Sequence, residues 1–120
     1  MKEMEVRLMP WKWNGLVCVG GTSSQFAAYA KRLIDVDIET GSNAAGHAHL
    51  SYGKPWVIWV ETLEDVPALA HEALHITAGL LEARGLKFTA DSEEAYTYTM
   101  EDILRQILEH KRWRTVKRNP

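Results

Sequence analysis

Residues 69–81, LAHEALHITAGLL, set His71 and His75 four positions apart, with Glu72 directly after the first. On a helix this spacing makes the two imidazoles neighbours, with Cβ atoms about 5–6 Å apart, so that both can bind one ion. Glu72 then lies to the side, within reach of a water on that ion. His-Glu-x-x-His is the spacing of zinc hydrolysis. Zinc lowers the pKa of a bound water from about 9 towards 7. A glutamate beside it can take the proton, guide attack on a polarised carbonyl and return the proton to the leaving amine. The competing reading is a solvated helix face that carries His71, Glu72, His75 and Glu82 and holds no metal.

A catalytic zinc needs a third protein ligand and one open position. The metzincin extension would place a glycine at position 78 and a histidine at 81, where this chain has Ala78 and Leu81. The other main class takes a glutamate from a following helix, and DSEEAYTYTMEDILRQIL, residues 91–108, offers one. HEALH followed by EEAYTYTMEDIL resembles the gluzincin, or thermolysin-like, arrangement reduced to a minimal core. It is especially similar to short single-domain zincin-like proteins of bacteriophages and prophages. In that pattern a Glu-Ala pair opens the second helix and apolar residues follow, here Tyr96, Met100 and Ile103 after Glu94 and Ala95. The resemblance covers about residues 55–108, and the first 45 residues carry none of it.

The resemblance implies a minimal zincin-like α+β fold, Zn2+ held by His71, His75 and Glu94, Glu72 as general base, and an intracellular metallopeptidase activity. One departure stands out. Thermolysin-like enzymes have an aspartate four residues after the ligand glutamate, where it orients a ligand histidine; this chain has Tyr98. A phenol at that place would hold the imidazole less strongly than a carboxylate, or point into the cleft and support an oxyanion. Tyr96 and His49 are further candidates for that donor. Periodicity alone does not choose between Glu93 and Glu94. The apolar stripe Tyr96, Met100, Ile103 and Ile107 has Glu93 nearer its centre, whereas Glu94 shares a polar stripe with Tyr98. A carboxylate in the core is costly unless paired, and a cleft between two polar stripes favours Glu94.

These residues need elements to position them. EMEVRLM alternates Met4, Val6 and Leu8 with charged neighbours and reads as a half-buried strand; Pro10 ends it. NGLVCV is a second strand, joined to the first by a hairpin-like connection. Gly20 and Gly21 lead into a helix capped by Thr22 with Gln25 three residues on; a phosphate cradle there lacks both glycine-rich fingerprints. GHAHLSYGKPWVIWVET reads as a β-hairpin around Tyr52-Gly53-Lys54, with His47 and His49 on one face. The strand PWVIWVE could hold an extended peptide by strand addition if it lies at a sheet edge. His47 and His49 could also form a second metal site, although exposed alternating histidines usually do nothing of the kind.

A helix over 65–84 starts at Asp65 and Pro67 and stops at Gly85. Its apolar stripe is Val66, Leu69, Ala73, Ile76 and Leu80, flanked by Leu74 and Leu81, while Ala68, Ala78 and Gly79 leave room for a metal and ligand. A last helix over 92–112 enters at Asp91 or Ser92 and ends in the basic tail HKRWRTVKRNP. The expected class is α+β, one domain over residues 1–120, with a small antiparallel or mixed sheet and three helices, the motif on the second.

Composition narrows the partners. The chain has 120 residues, 46% hydrophobic and 25% charged, with a formal charge of −2, which gives no general attraction to nucleic acid or membrane. Its single cysteine, Cys18, excludes an internal disulfide and suits a buried thiol in a reducing cytoplasm. No apolar run approaches the roughly 20 residues of a membrane span. The basic tail with Trp113 could touch nucleic acid, but without a matching basic face it reads better as a solvated helix end. The expected partner is a peptide or protein, as substrate or, if the zincin fold serves binding alone, as the target of a phage-type regulatory or host-interaction module.

Overall fold

A computed structural model describes residues 1–8, 13–39, 44–109 and 113–117. It is an α+β fold of three helices and a five-stranded mixed sheet. In chain order the elements are β1 (Lys2–Leu8), β2 (Trp13–Val19), α1 (Ser23–Ile34), β3 (Gly46–His49), β4 (Trp56–Val60), α2 (Val66–Ala83), α3 (Glu93–Glu109) and β5 (Arg114–Thr115). The sheet order is β3-β4-β2-β1-β5. β1 and β2 pair antiparallel, as do β3 and β4 and β1 and β5, while β2 and β4 run parallel.

The period-two pattern sorts residues to two faces of the sheet. Met4, Val6, Leu8, Val17, Trp56, Ile58 and Val60 form the larger core with Leu69, Ala73, Ile76 and Leu80 of α2 and Ile103 and Ile107 of α3. Cys18, Val57 and Trp59 face the other way and pack with Phe26 and Ala30 of α1. The thiol of Cys18 is fully buried, which pushes its pKa up to about 12 and leaves it unreactive at neutral pH.

Helix boundaries follow local chemistry. Thr22 and Gln25 form the complete capping box, and Gly20 and Gly21 make the turn before it at positive φ. Asp65 accepts from the Ala68 amide at the start of α2, and Gly85, at φ 77°, follows its end.

Three expectations change. PWVIWVE is no edge: β4 lies between β3 and β2 and all five of its residues are buried, so a peptide cannot add to it. Helices on both faces explain the run: Trp56, Ile58 and Val60 pack towards α2 and α3 and Val57 and Trp59 towards α1, so every residue of the strand is apolar. The basic tail is not simply a helix end. Arg114 and Thr115 pair with Glu3 and Lys2, and Arg114 reaches the Glu3 carboxylate at 3.6 Å; His110, Lys111, Arg112 and Arg118 lie outside the described residues. Val66 and Leu74 are 46% and 52% exposed, so the buried stripe of α2 is narrower and swings towards Thr77 and Leu81. Among the described residues no helix is long and apolar enough to cross a membrane.

Candidate metal centre

α2 presents three different surfaces. One packs on the sheet through Leu69, Ala73 and Ile76, and a second meets α3. The third carries His71 and His75, both exposed. Their Nε2 atoms are 3.1 Å apart and the rings meet edge to face with centroids at 4.7 Å. Zn–N bonds of 2.0–2.1 Å in a tetrahedron place neighbouring nitrogens about 3.3–3.4 Å apart, so the two imidazoles fit a shared ion with little adjustment. Without an ion, the same distance suits one N–H donating to the other ring's bare nitrogen.

Glu72 is unlike its neighbours. It turns away from solvent, only 8% exposed, and lies against the start of β3. A Cβ placed on Gly46 would come within 2.9 Å of the Glu72 Cγ and 3.0 Å of the Trp59 carbonyl oxygen. Only a residue without a side chain lets the glutamate in, and an isolated glycine opening a strand was the unused signal for it. Burial raises the Glu72 carboxyl above its ordinary value, while His71, His75 and His47 pull it back down. Its Oε1 sits 3.9 Å from His71 Nε2. A wet helix face carrying all of His71, Glu72, His75 and Glu82 is therefore not what the chain forms.

The structure gathers His71, Glu72 and His75 but not the rest of the set. Among the described residues no three His, Cys, Asp or Glu side chains are arranged to hold a metal. Glu93 and Glu94 are exposed in the first turn of α3. That turn is fixed to the loop after α2, where the Tyr96 hydroxyl donates to the Leu86 carbonyl at 2.6 Å and its ring meets Phe88. His75 lies eight residues before Ala83, about 12 Å back along the helix at 1.5 Å per residue. α3 also lies over β1, whereas α2 lies over β3 and β4.

Tyr98 goes with that distant end. It is 63% exposed and lines a cavity of about 560 Å³ with Leu8, Leu81, Arg84 and Asp102. Tyr96 is committed to Leu86. The room expected beside Gly79 is occupied by Leu50, 3.5 Å from where a Cβ would stand.

His47 and His49 point to the opposite face of β3 from Glu72, since Gly46 and Ala48 take the α2 side. His47 joins a three-ring cluster with Phe26 and Trp59, at 6.2 and 5.6 Å from them while they lie 6.0 Å from each other, and its buried Nε2 has no hydrogen-bond partner among the described residues. His49 Nε2 bonds the Ser51 hydroxyl at 2.5 Å. The two rings are thus engaged separately, His47 with the aromatic cluster and His49 with Ser51, on the other face of β3 from Glu72.

Compared with protein-family models, with curated proteins and with solved structures, the chain matches none.

Proposed function

We propose that the chain is a small zinc-dependent hydrolase, a gluzincin-type metallopeptidase on a minimal zincin-like fold. The observation that carries this reading is the converging pair of His71 and His75 nitrogens beside a glutamate drawn out of solvent. His71 and His75 would hold the ion, with Glu94 as the third ligand of the gluzincin pattern, although the first turn of α3 is held at the loop after α2 rather than beside the pair. A zinc ion there would supply a Lewis acid that polarises a carbonyl.

Glu72 carries the proton. Its carboxyl is desolvated, which strengthens its basicity, and its position next to both histidines lets it hand a proton from an attacking water to a leaving amine. The peptide would lie along β3, the true edge strand on this side of the sheet, and add to it through main-chain hydrogen bonds. Glu72, reaching β3 past Gly46, would then stand beside the added strand.

A second reading has its own support. The described residues bring two ligands together, not three, which suits a zincin-fold protein that binds metal and a protein partner without proteolysis, as a phage-type regulatory or host-interaction module.

The test is elemental analysis of tag-free protein beside His75→Ala, Glu94→Ala and Glu72→Gln, followed by turnover of an unstructured peptide pool. The hydrolase reading expects about one zinc per chain, loss in the first two variants, and a Glu72→Gln protein that keeps zinc but does not cleave. Zinc uptake indifferent to Glu94 with no cleavage by the parent chain would leave the binding module. No zinc after reloading would end both metal readings.

A further inference from the structure

Zinc in a closed site takes four donors in a tetrahedron, and two imidazoles fill half of it. Among the described residues no other metal-binding side chain completes a set with His71 and His75. Both stand on an open flank: the His71 side chain is 67% exposed, and Leu74, between them in sequence, is 52% exposed. A chelating pair next to an uncovered leucine on one helix face can complete itself by symmetry. In a two-fold contact each chain contributes the same patch, so every ligand and every apolar neighbour appears twice.

We propose that His71 and His75 of two chains close around a single zinc ion, giving a four-histidine dimer with Leu74 of each chain packed at the contact. The inference rests on the zinc reading of the pair and names the partner of that site, a second copy of this chain. The 3.1 Å between Nε2 atoms, near the edge of a zinc tetrahedron, means each half of the shell is already formed before the copies meet. Four protein ligands leave no open coordination position. The dimer is thus the closed form of the site, and hydrolysis belongs to the separated chain.

Native mass spectrometry and sedimentation velocity of the full, tag-free chain, titrated with Zn2+ from a chelator-treated start, read both partners of the proposal. The expected result is a doubling of mass at about half a zinc per chain, reversed by chelator, and a return to monomer at about one zinc per chain when excess Zn2+ gives each chain its own ion. His71→Ala and His75→Ala should remove zinc and dimer together. Leu74→Arg should keep zinc binding and weaken dimerisation at least tenfold. One zinc bound per chain in a species that stays monomeric at every concentration would overturn the dimer and leave the zinc reading standing. A dimer that persists unchanged in chelator would also overturn it. A chain that takes up no zinc overturns the dimer and the zinc reading at once.

Discussion

The histidines of β3 and those of α2 are the same residue type in pairs, yet the fold uses them in opposite ways. His47 is one of three clustered rings with Phe26 and Trp59, and its buried Nε2 has no partner among the described residues. His71 and His75 stay exposed and meet edge to face, with their Nε2 atoms 3.1 Å apart. On a strand a spacing of two shares a face, but that face belongs to the core of α1. On a helix a spacing of four shares a flank, and here the flank is uncovered. The lesson is that spacing states whether two side chains can meet, while the neighbouring element decides what they meet for.

The largest effect expected on this comparison is from Trp59→Ala. It removes the ring that holds His47 and should cost about 3–5 kcal/mol in chemical denaturation, while zinc affinity of the folded protein stays unchanged. A parallel loss of zinc would join the two pairs into one site. Next is Gly46→Ala, whose methyl meets Glu72 and the Trp59 carbonyl oxygen. Overpacking at a backbone contact should cost about 1–3 kcal/mol, and unchanged stability would show that β3 gives way.

A smaller, pH-dependent effect belongs to Glu72. Its carboxyl pKa is raised by burial, so the folded chain binds that proton more tightly than the unfolded chain. Stability from this group is present below the ordinary value of 4.5 and is lost as pH rises through the higher folded value. In chelator, Glu72→Gln should therefore match the parent near pH 3 and exceed it at pH 7; the reverse order would place Glu72 in a favourable ion pair. The smallest change is His75→Ala without metal, within about 0.5 kcal/mol of the parent because the side chain is exposed. A thermal melt that shows otherwise would mean the pair also holds up the helix.

Much of the fold was legible because its signals are local. The alternation of Met4, Val6 and Leu8, the box formed by Thr22 and Gln25, and Asp65 ahead of α2 each act within a few residues. What was not legible depends on residues far apart in sequence. The parallel pairing that makes β4 interior joins strands separated by α1 and β3. The strand at Arg114 and Thr115 forms because β1 has a free edge. Leu50 filling the space at Gly79 comes from the β3–β4 hairpin. The same holds within the site: His71, Glu72 and His75 are a single helix turn and could be read directly. Glu94 depends on which side of α2 the third helix takes, and no spacing along the chain encodes that choice.

Gly15 lies opposite Trp56 in the parallel pair, and the indole occupies the space its Cβ would need, 2.0 Å from the ring. The indole N–H donates to the Trp13 carbonyl at 3.1 Å. Together these make a keyed slot. Parallel strands joined by a long crossover must find one another late and across a wide search, and a slip of one residue would reverse every side chain of β4. With Asn14 or Leu16 under the tryptophan the slot is blocked, so the ring enters in one alignment only. The alignment that seats it also fixes where β3, carried on the far side of β4, stands against Glu72.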